Sequence, residues 1–246
     1  MERSRPDGRD PGAVVARLEA LASLWKLPAG SASRLASLLE LVVAAPISLT
    51  SVRDPLVAVD RHVADSLSGL EVDELPVAKR IADLGSGAGF PGLVLAIALP
   101  GAHVSLVESV GKKAAFLERA VSALGLANVD VVPLRAEEWD PGLGTIDVVT
   151  ARALAPLSVL VEYAAPLLTM GGLLVAWKGR RSAPEELDGA AAAAVLGMSD
   201  PVPRPVASGD AERNLYVSSK VGPTPTGFPR RAGMARKRPI RPSTSG

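Results

Sequence analysis

Apolar residues in the first third of the chain recur at helical spacing. Val14, Leu18, Leu21 and Leu24 share one face of a helix predicted over residues 13–27. Pro28 to Gly30 breaks it. Ser31 is placed to cap a second helix, whose apolar face is Leu35, Leu38, Leu39 and Val42, and Pro46 closes it. The stretch 48–55, SLTSVRDP, reads as a polar connector. A third helix is predicted from Val57 to Leu70, carrying Arg61, His62, Asp65 and Ser66. Arg61 and Asp65 are four apart and able to pair on one face. His62 reads as a structural hydrogen-bonding residue ahead of a catalytic one. Residues 1–12 show no apolar period and are expected to be disordered.

From Ile81 the period changes. Short apolar runs at 81–84, 103–107, 129–132, 146–150 and 173–177 read as strands. Helices are predicted between them, at 93–99, from Gly111 to a stop at Gly125, at 156–168 and at 183–196. Gly171 and Gly172 read as a turn into the fifth strand. Two last strands, 201–207 and 213–220, are expected to pair antiparallel around Ser208-Gly209-Asp210. Beyond Gly222, proline, glycine and basic residues predict loop or disorder. The alternation implies an α/β fold, a mainly parallel doubly wound sheet over 76–221. A helical segment at 13–75 precedes it and a basic tail at 222–246 follows.

Ligands of such sheets sit beyond the carboxyl ends of the strands. Gly85, Glu108, Glu137, Arg152 and Lys178 all stand at or after predicted strand ends, so they are expected to converge on one cleft. The joint after the first strand, residues 80–92, reads RIADLGSGAGFPG. Glycines there permit a sharp turn and a close approach to a ligand, and a following helix aims free amides at the same spot. The third glycine of a dinucleotide fingerprint would fall at position 90, which is Phe90. The pattern is instead Gly85, Gly87 and Gly89, with Asp83 two residues before the first, a form more usual with S-adenosylmethionine. Taken alone, such a loop is equally an ordinary strand–helix turn. Glu108 lies 23 residues after Gly85, where a carboxylate can accept both hydroxyl protons of a ribose. That supports a nucleoside and fits S-adenosylmethionine and NAD alike. Ala136 and Glu137 follow the third strand, where a loop can border an adenine.

Composition narrows the chemistry. The 246 residues are 48% hydrophobic, enough for a sizeable core, but only 3% aromatic. The chain has no cysteine, which excludes disulfides, cysteine-ligated zinc and a cysteine nucleophile; two histidines do not make a histidine-rich metal site. The charged first residues lack a signal-peptide core, and the apolar run 93–99 is short of a membrane span. A soluble cytoplasmic protein, monomeric and without a membrane partner, is expected. The net charge of +1 hides an asymmetry: six cations and no acid lie beyond Val221, which leaves 21 basic and 26 acidic residues elsewhere. A basic tail suggests a polyanion partner, with Arg230, Arg231, Arg236, Lys237 and Arg238 as its contacts; the alternative is a merely solvated tail.

The fourth strand runs into Ala151-Arg152-Ala153-Leu154-Ala155-Pro156, with no Pro-Pro-Tyr motif for amino-group methylation. C5-methylation of a pyrimidine needs a thiol nucleophile that this chain lacks. Guanine N7 has an available lone pair and loses no proton on attack, so its methylation needs alignment and no general base. Arg152 and Lys178 are then candidate catalytic residues, cations that hold phosphate or a base edge. Their alternative role is pairing with neighbouring acids.

With these residues assembled, the chain resembles the RsmG (GidB) family of bacterial small-subunit ribosomal RNA guanine-N7 methyltransferases, from about Leu49 to Arg241. The matching blocks are 49–55, Arg61-His62 with Asp65-Ser66, Asp83 to Gly92, Glu108-Ser109 with Gly111-Lys112-Lys113, Arg152-Ala153, Lys178-Gly179 and the tail PRRAGMARKRPI. The resemblance implies a class I S-adenosylmethionine-dependent methyltransferase fold preceded by helices. It implies 16S rRNA or the small ribosomal subunit as substrate, with one guanine of the decoding region becoming 7-methylguanosine. By matching positions it puts cofactor contacts on Gly85, Phe90, Ala136, Glu137 and Arg152. Upstream the sequence departs: relatives carry Trp and Asn near the end of the second helix, where this chain has Val42-Val43-Ala44-Ala45, and an Asn where it has Ser48. The competing readings are a nicotinamide-dependent dehydrogenase, a non-catalytic RNA-binding protein and a small-molecule methyltransferase.

Overall fold

The computed structural model describes residues 11–206 and 213–242. Of the disorder predicted at 1–12, residues 1–10 lie outside the described residues, as does the turn at Ser208–Asp210, whereas Pro11 and Gly12 are helical, which corrects the expectation there. Seven strands form one sheet in the order β3-β2-β1-β4-β5-β7-β6. They are β1 (Arg80–Leu84), β2 (His103–Val107), β3 (Val129–Val132), β4 (Ile146–Arg152), β5 (Leu168–Lys178), β6 (Val202–Pro205) and β7 (Asn214–Ser219). β1 to β5 are parallel, and β7 runs antiparallel to both β5 and β6. The chain steps outward from β1 to β3 and returns on the other side of β1 at β4. This reversal leaves a crevice at the carboxyl ends of β1 and β4.

Strand alternation divides the core into two layers. Ile81, Val104, Leu106, Val148 and Val175 face one side. There they meet α1 (Pro11–Leu24), α2 (Ser31–Ala44), α5 (Gly92–Ala98) and α6 (Gly111–Leu124). Ala82, Leu84, Val149, Leu174 and Ala176 face the other side, against α7 (Leu157–Ala164) and α8 (Ala183–Leu196). Every residue of α5 is buried, as its uninterrupted apolar run requires.

Four local expectations are corrected. Gly30, not Ser31, holds the cap position of α2; Ser31 is the first helical residue and its buried Oγ has no hydrogen-bond partner. The third predicted helix is helical over 55–71 but irregular. It is built of α3 (Pro55–Ala58), a π-helical stretch (Val59–Ala64), α4 (Asp65–Leu67) and a 3-10 turn (Ser68–Glu71). The helix predicted to reach residue 168 stops at Ala164, because Pro166 cannot continue it. Gly171 and Gly172 lie inside β5, where the register with β4 shifts between Ile146 and Val148. Gly171 has φ 81°, the left-handed conformation that such an irregularity uses.

The tail is the largest difference. Through residue 242 it is packed against the α7 side of the sheet. Thr224 donates to the Ala165 carbonyl at 3.0 Å, Phe228 and Ile240 join that core, and α9 (Met234–Lys237) contains the buried Ala235. Composition missed this because the groups that hold the tail lie far back in the sequence. No helix among the described residues is long and apolar enough to cross a membrane. No group of three or more His, Asp or Glu among them could hold a metal ion.

Candidate active site

A cavity of about 380 Å³ opens at the switch point. Its walls come from the ends of four parallel strands. β1 gives Leu84 and Gly85, and β2 gives Val107 with Glu108 after it. The loop after β3 gives Leu134 to Glu137, and the turn after β4 gives Ala153 and Leu154. Of the five residues expected to converge, Gly85, Glu108 and Glu137 are brought together here, with Ala136 beside them, while Arg152 and Lys178 are not in this wall. The size suits a small-molecule ligand.

Glu108 is buried to 5% exposure although it reaches the cavity. Its Oε2 accepts the Gly87 amide at 3.0 Å and its Oε1 the Val110 amide at 2.8 Å. A carboxylate has about four lone-pair sites, so both oxygens retain capacity to accept hydroxyl donors from a ligand. Gly85, at φ 66°, holds a left-handed backbone that side chains rarely adopt, and a Cβ there would also push on Leu154 Cδ1 at 2.5 Å. A carboxylate aimed at a nucleoside-sized cavity beside loop amides fits an adenosine-bearing cofactor.

Asp83 works behind the loop. It is fully buried, and the sheet register sets it opposite Thr150. Thr150 donates to Oδ1 at 2.9 Å and the Gly92 amide to Oδ2 at 3.1 Å. Burial pushes its pKa up to about 6, against the pull of those hydrogen bonds. Asp83 thus ties the start of α5 to the sheet and builds the loop. A Cβ at Gly92 would stand 2.7 Å from its Oδ2, so the approach needs glycine.

Arg152 and Phe90 form a second group, outside the cavity wall. Arg152 shares the sheet face of Asp83 and Thr150 and pairs in register with Trp177. Its Nη1 donates to Asp65 Oδ2 at 2.8 Å and to the Arg61 carbonyl at 3.1 Å. Trp177 Nε1 donates to the Asp65 carbonyl at 2.7 Å. The two side chains clamp the irregular helix onto the ends of β4 and β5. Asp65 thus meets Arg152 from 87 residues away, where the sequence suggested Arg61. Phe90, 5% exposed, stacks on His62 with ring centres 4.7 Å apart, and the Arg152 guanidinium stands 5.4 Å from its ring.

His62 lies in the π-helical stretch, a feature frequent at functional sites. Its Nε2 meets Thr50 Oγ1 at 2.8 Å and its Nδ1 meets Arg152 Nη2 at 3.5 Å. Arginine can only donate, so Nδ1 is assigned as the acceptor and Nε2 as the protonated nitrogen. Burial, then the Arg152 charge, lowers its pKa to about 4. The folded state thus binds this proton less readily than the unfolded chain. The stability this group contributes is complete above about pH 6.5 and is lost as pH falls toward 4. In NMR titration the His62 ring proton shift is expected to stay flat from about pH 8 to 5.5. A midpoint near the ordinary histidine value would overturn the neutral assignment.

Lys178 is not in the cavity wall. It pairs with Glu185 and donates to the Ala155 carbonyl at 2.9 Å, while Glu185 accepts the Leu157 amide at 2.9 Å. That is the pairing with a neighbouring acid, and it closes the β4–α7 turn. The tail cations also divide. Arg230 is bidentate on buried Glu162 at 2.6 and 2.5 Å, which corrects its expected role as a polyanion contact. Arg236 lines the cavity together with Tyr163 of α7. Arg231, Lys237 and Arg238 are exposed. Tyr163 and Trp177 were missed in the sequence, where each reads as an apolar position of its element.

This strand order, with antiparallel β7, the glycine turn after β1 and the acid after β2, defines the class I methyltransferase fold. Cofactor-bound Rv0187 from MTB shares it at TM-score 0.55 and 20% identity, over 83% of this chain and 97% of that one. The GidB family model, rRNA small subunit methyltransferase G, matches residues 31–215. The Ribosomal RNA small subunit methyltransferase G of Roseiflexus castenholzii is 47% identical over 199 residues, 79% of this chain and 84% of that protein. Its namesake in Rubrobacter xylanophilus is 45% identical over 197 residues, 77% of this chain and 76% of that protein. The chain belongs to the rRNA small subunit methyltransferase G family.

Proposed function

We propose that the protein transfers a methyl group from S-adenosylmethionine to N7 of a guanine in the decoding region of 16S rRNA. We place the reaction in the cytoplasm, on 16S rRNA or the small subunit, with the protein acting as a monomer. The observation that carries this reading is Glu108: a buried carboxylate on loop amides, at the mouth of a switch-point cavity, in a member of this family.

When bound, S-adenosylmethionine supplies an electrophilic methyl on a sulfonium. The residues of this chain bind and orient. Glu108 accepts the ribose hydroxyls, Ala136 and Glu137 border the purine, and Gly85, Gly87 and Gly89 keep the loop open to the amino-acid end. Asp83 fixes that loop from behind. N7 gives up no proton, and neutral His62 is not required as a base. Arg152, committed to Asp65 and the Arg61 carbonyl, is a positioning residue that holds the Phe90–His62 stack beside the cavity. Arg231, Lys237 and Arg238 meet RNA phosphates.

The test is nucleoside mass spectrometry of 16S rRNA from a strain lacking the protein. Loss of 7-methylguanosine is expected, with return on complementation by the parent and none by Arg152→Ala. An unchanged 7-methylguanosine content would overturn the assignment.

A further inference from the structure

The segment beyond Gly222 lies past residues 31–215, which the family model spans, although its PRRAGMARKRPI block resembles the family, and it supplies part of the cavity wall. Three contacts fix it there. The Gly233 amide donates to Glu137 Oε1 at 2.8 Å. Arg236 Nη2 donates to the Leu154 carbonyl at 2.7 Å. Arg230 grips Glu162 of α7 and also donates to the Arg238 carbonyl at 2.9 Å, which folds the segment back on itself. Ala235, at 1% exposure, seats the short helix in the core of that face. Residues of α7 and of the loop after β3 are thereby joined across the cavity mouth.

We propose that this segment is a strap over the purine end of the cofactor cavity, and that Arg236 is a cofactor-binding residue there. The inference rests on the cofactor reading above. The end is set by Glu137, because the strap is anchored on the residue assigned to border the purine. Arg236 uses a donor on Leu154 and a guanidinium has five, in a plane that both stacks on aromatic rings and reaches ring nitrogens. The side chain is exposed, so a ligand in the cavity displaces water from it with little other rearrangement.

Titration calorimetry on the full chain tests this with two probes. One is S-adenosylhomocysteine; the other is 5′-methylthioadenosine, which keeps the nucleoside and sulfur but lacks the amino acid. Arg236→Ala is expected to weaken both by the same factor, about tenfold or more, the size of a lost charge-assisted contact. Arg241→Ala, on an exposed side chain 3.9 Å from Asp188, is expected to leave both unchanged. Should Arg236→Ala fail to fold, Arg236→Gln keeps a donor for Leu154 and is expected to show the same loss. Binding of both probes within twofold of the parent overturns the strap assignment alone. Weakening confined to S-adenosylhomocysteine overturns the purine-end placement. A parent that binds neither probe overturns the cofactor reading, and this inference with it.

Discussion

Arg152→Ala is expected to abolish methyl transfer and to lower stability by about 3 kcal/mol, the lower end for breaking a buried ion pair. Asp65 is 3% exposed at its side chain and Arg152 14%, so neither charge is well hydrated. Arg213 stands 3.7 Å from the other Asp65 oxygen, too far for a hydrogen bond but near enough to offset part of the loss. With a native stability of about 5–15 kcal/mol, a loss of that size still leaves the protein folded at room temperature. Activity falls for a separate reason. Without Arg152 the Arg61 carbonyl and the Phe90–His62 stack lose their support at the end of β4. Arg152→Lys should recover little, since Nη1 serves Asp65 and the Arg61 carbonyl while Nη2 faces His62 Nδ1, a planar spread that one ammonium cannot span. Adding Asp65→Asn to Arg152→Ala should restore part of the stability and none of the activity, because the stranded carboxylate is gone but the clamp is not rebuilt. Urea unfolding and single-turnover rates on the same variants separate the two effects. Full activity in Arg152→Ala would overturn the positioning role.

Glu108→Ala is expected to weaken S-adenosylhomocysteine binding by about 1.5–3 kcal/mol, roughly 10- to 150-fold. Two losses combine. The ligand loses an ionised acceptor, and the Gly87 and Val110 amides lose the partner that holds the loop in place. Glu108→Gln should recover only a fraction, because its NH2 group meets an amide that also donates. RNA affinity should stay close to that of the parent, since the exposed tail cations are untouched. Calorimetry with the cofactor product and filter binding with a 16S fragment give the two numbers. Equal losses in both would point to a general disturbance of the fold and against a nucleoside-binding role.

The parts of this site that were legible in the sequence are those whose partners are close along the chain. Gly85 to Gly92 follows β1 directly, and Glu108 ends the next strand, so position along the chain already gives position in space. What stayed hidden depends on folding across long separations. Arg152 could be placed at a strand end, but Asp65 is 87 residues away, and an i,i+4 partner for Asp65 at Arg61 was the nearer suggestion. The π-helical stretch has no glycine or proline to announce it, and Arg152 and Trp177, which hold Asp65 at its end, lie far along the chain. Prolines, glycines and cations predict loop or disorder for the tail; Glu137 and Glu162, which hold it, sit in elements that look complete without it. Lys178 was placed correctly at the end of β5, but its fate was decided by Glu185, in the first turn of the next helix.

One edge of the sheet has a consequence for behaviour at high concentration. The outermost strand there is β6, four residues reading VPRP, paired only to β7. Pro203 and Pro205 are alternate residues, so their ring nitrogens point to the same side of the strand, and prolines in edge strands turn that side outward. The outer rim of β6 therefore presents carbonyls without amides. A strand from another molecule that tried to extend the sheet there would find acceptors and no donors. Crowded copies of the protein are thus denied one of the two rims along which sheets join end to end into fibrous aggregates.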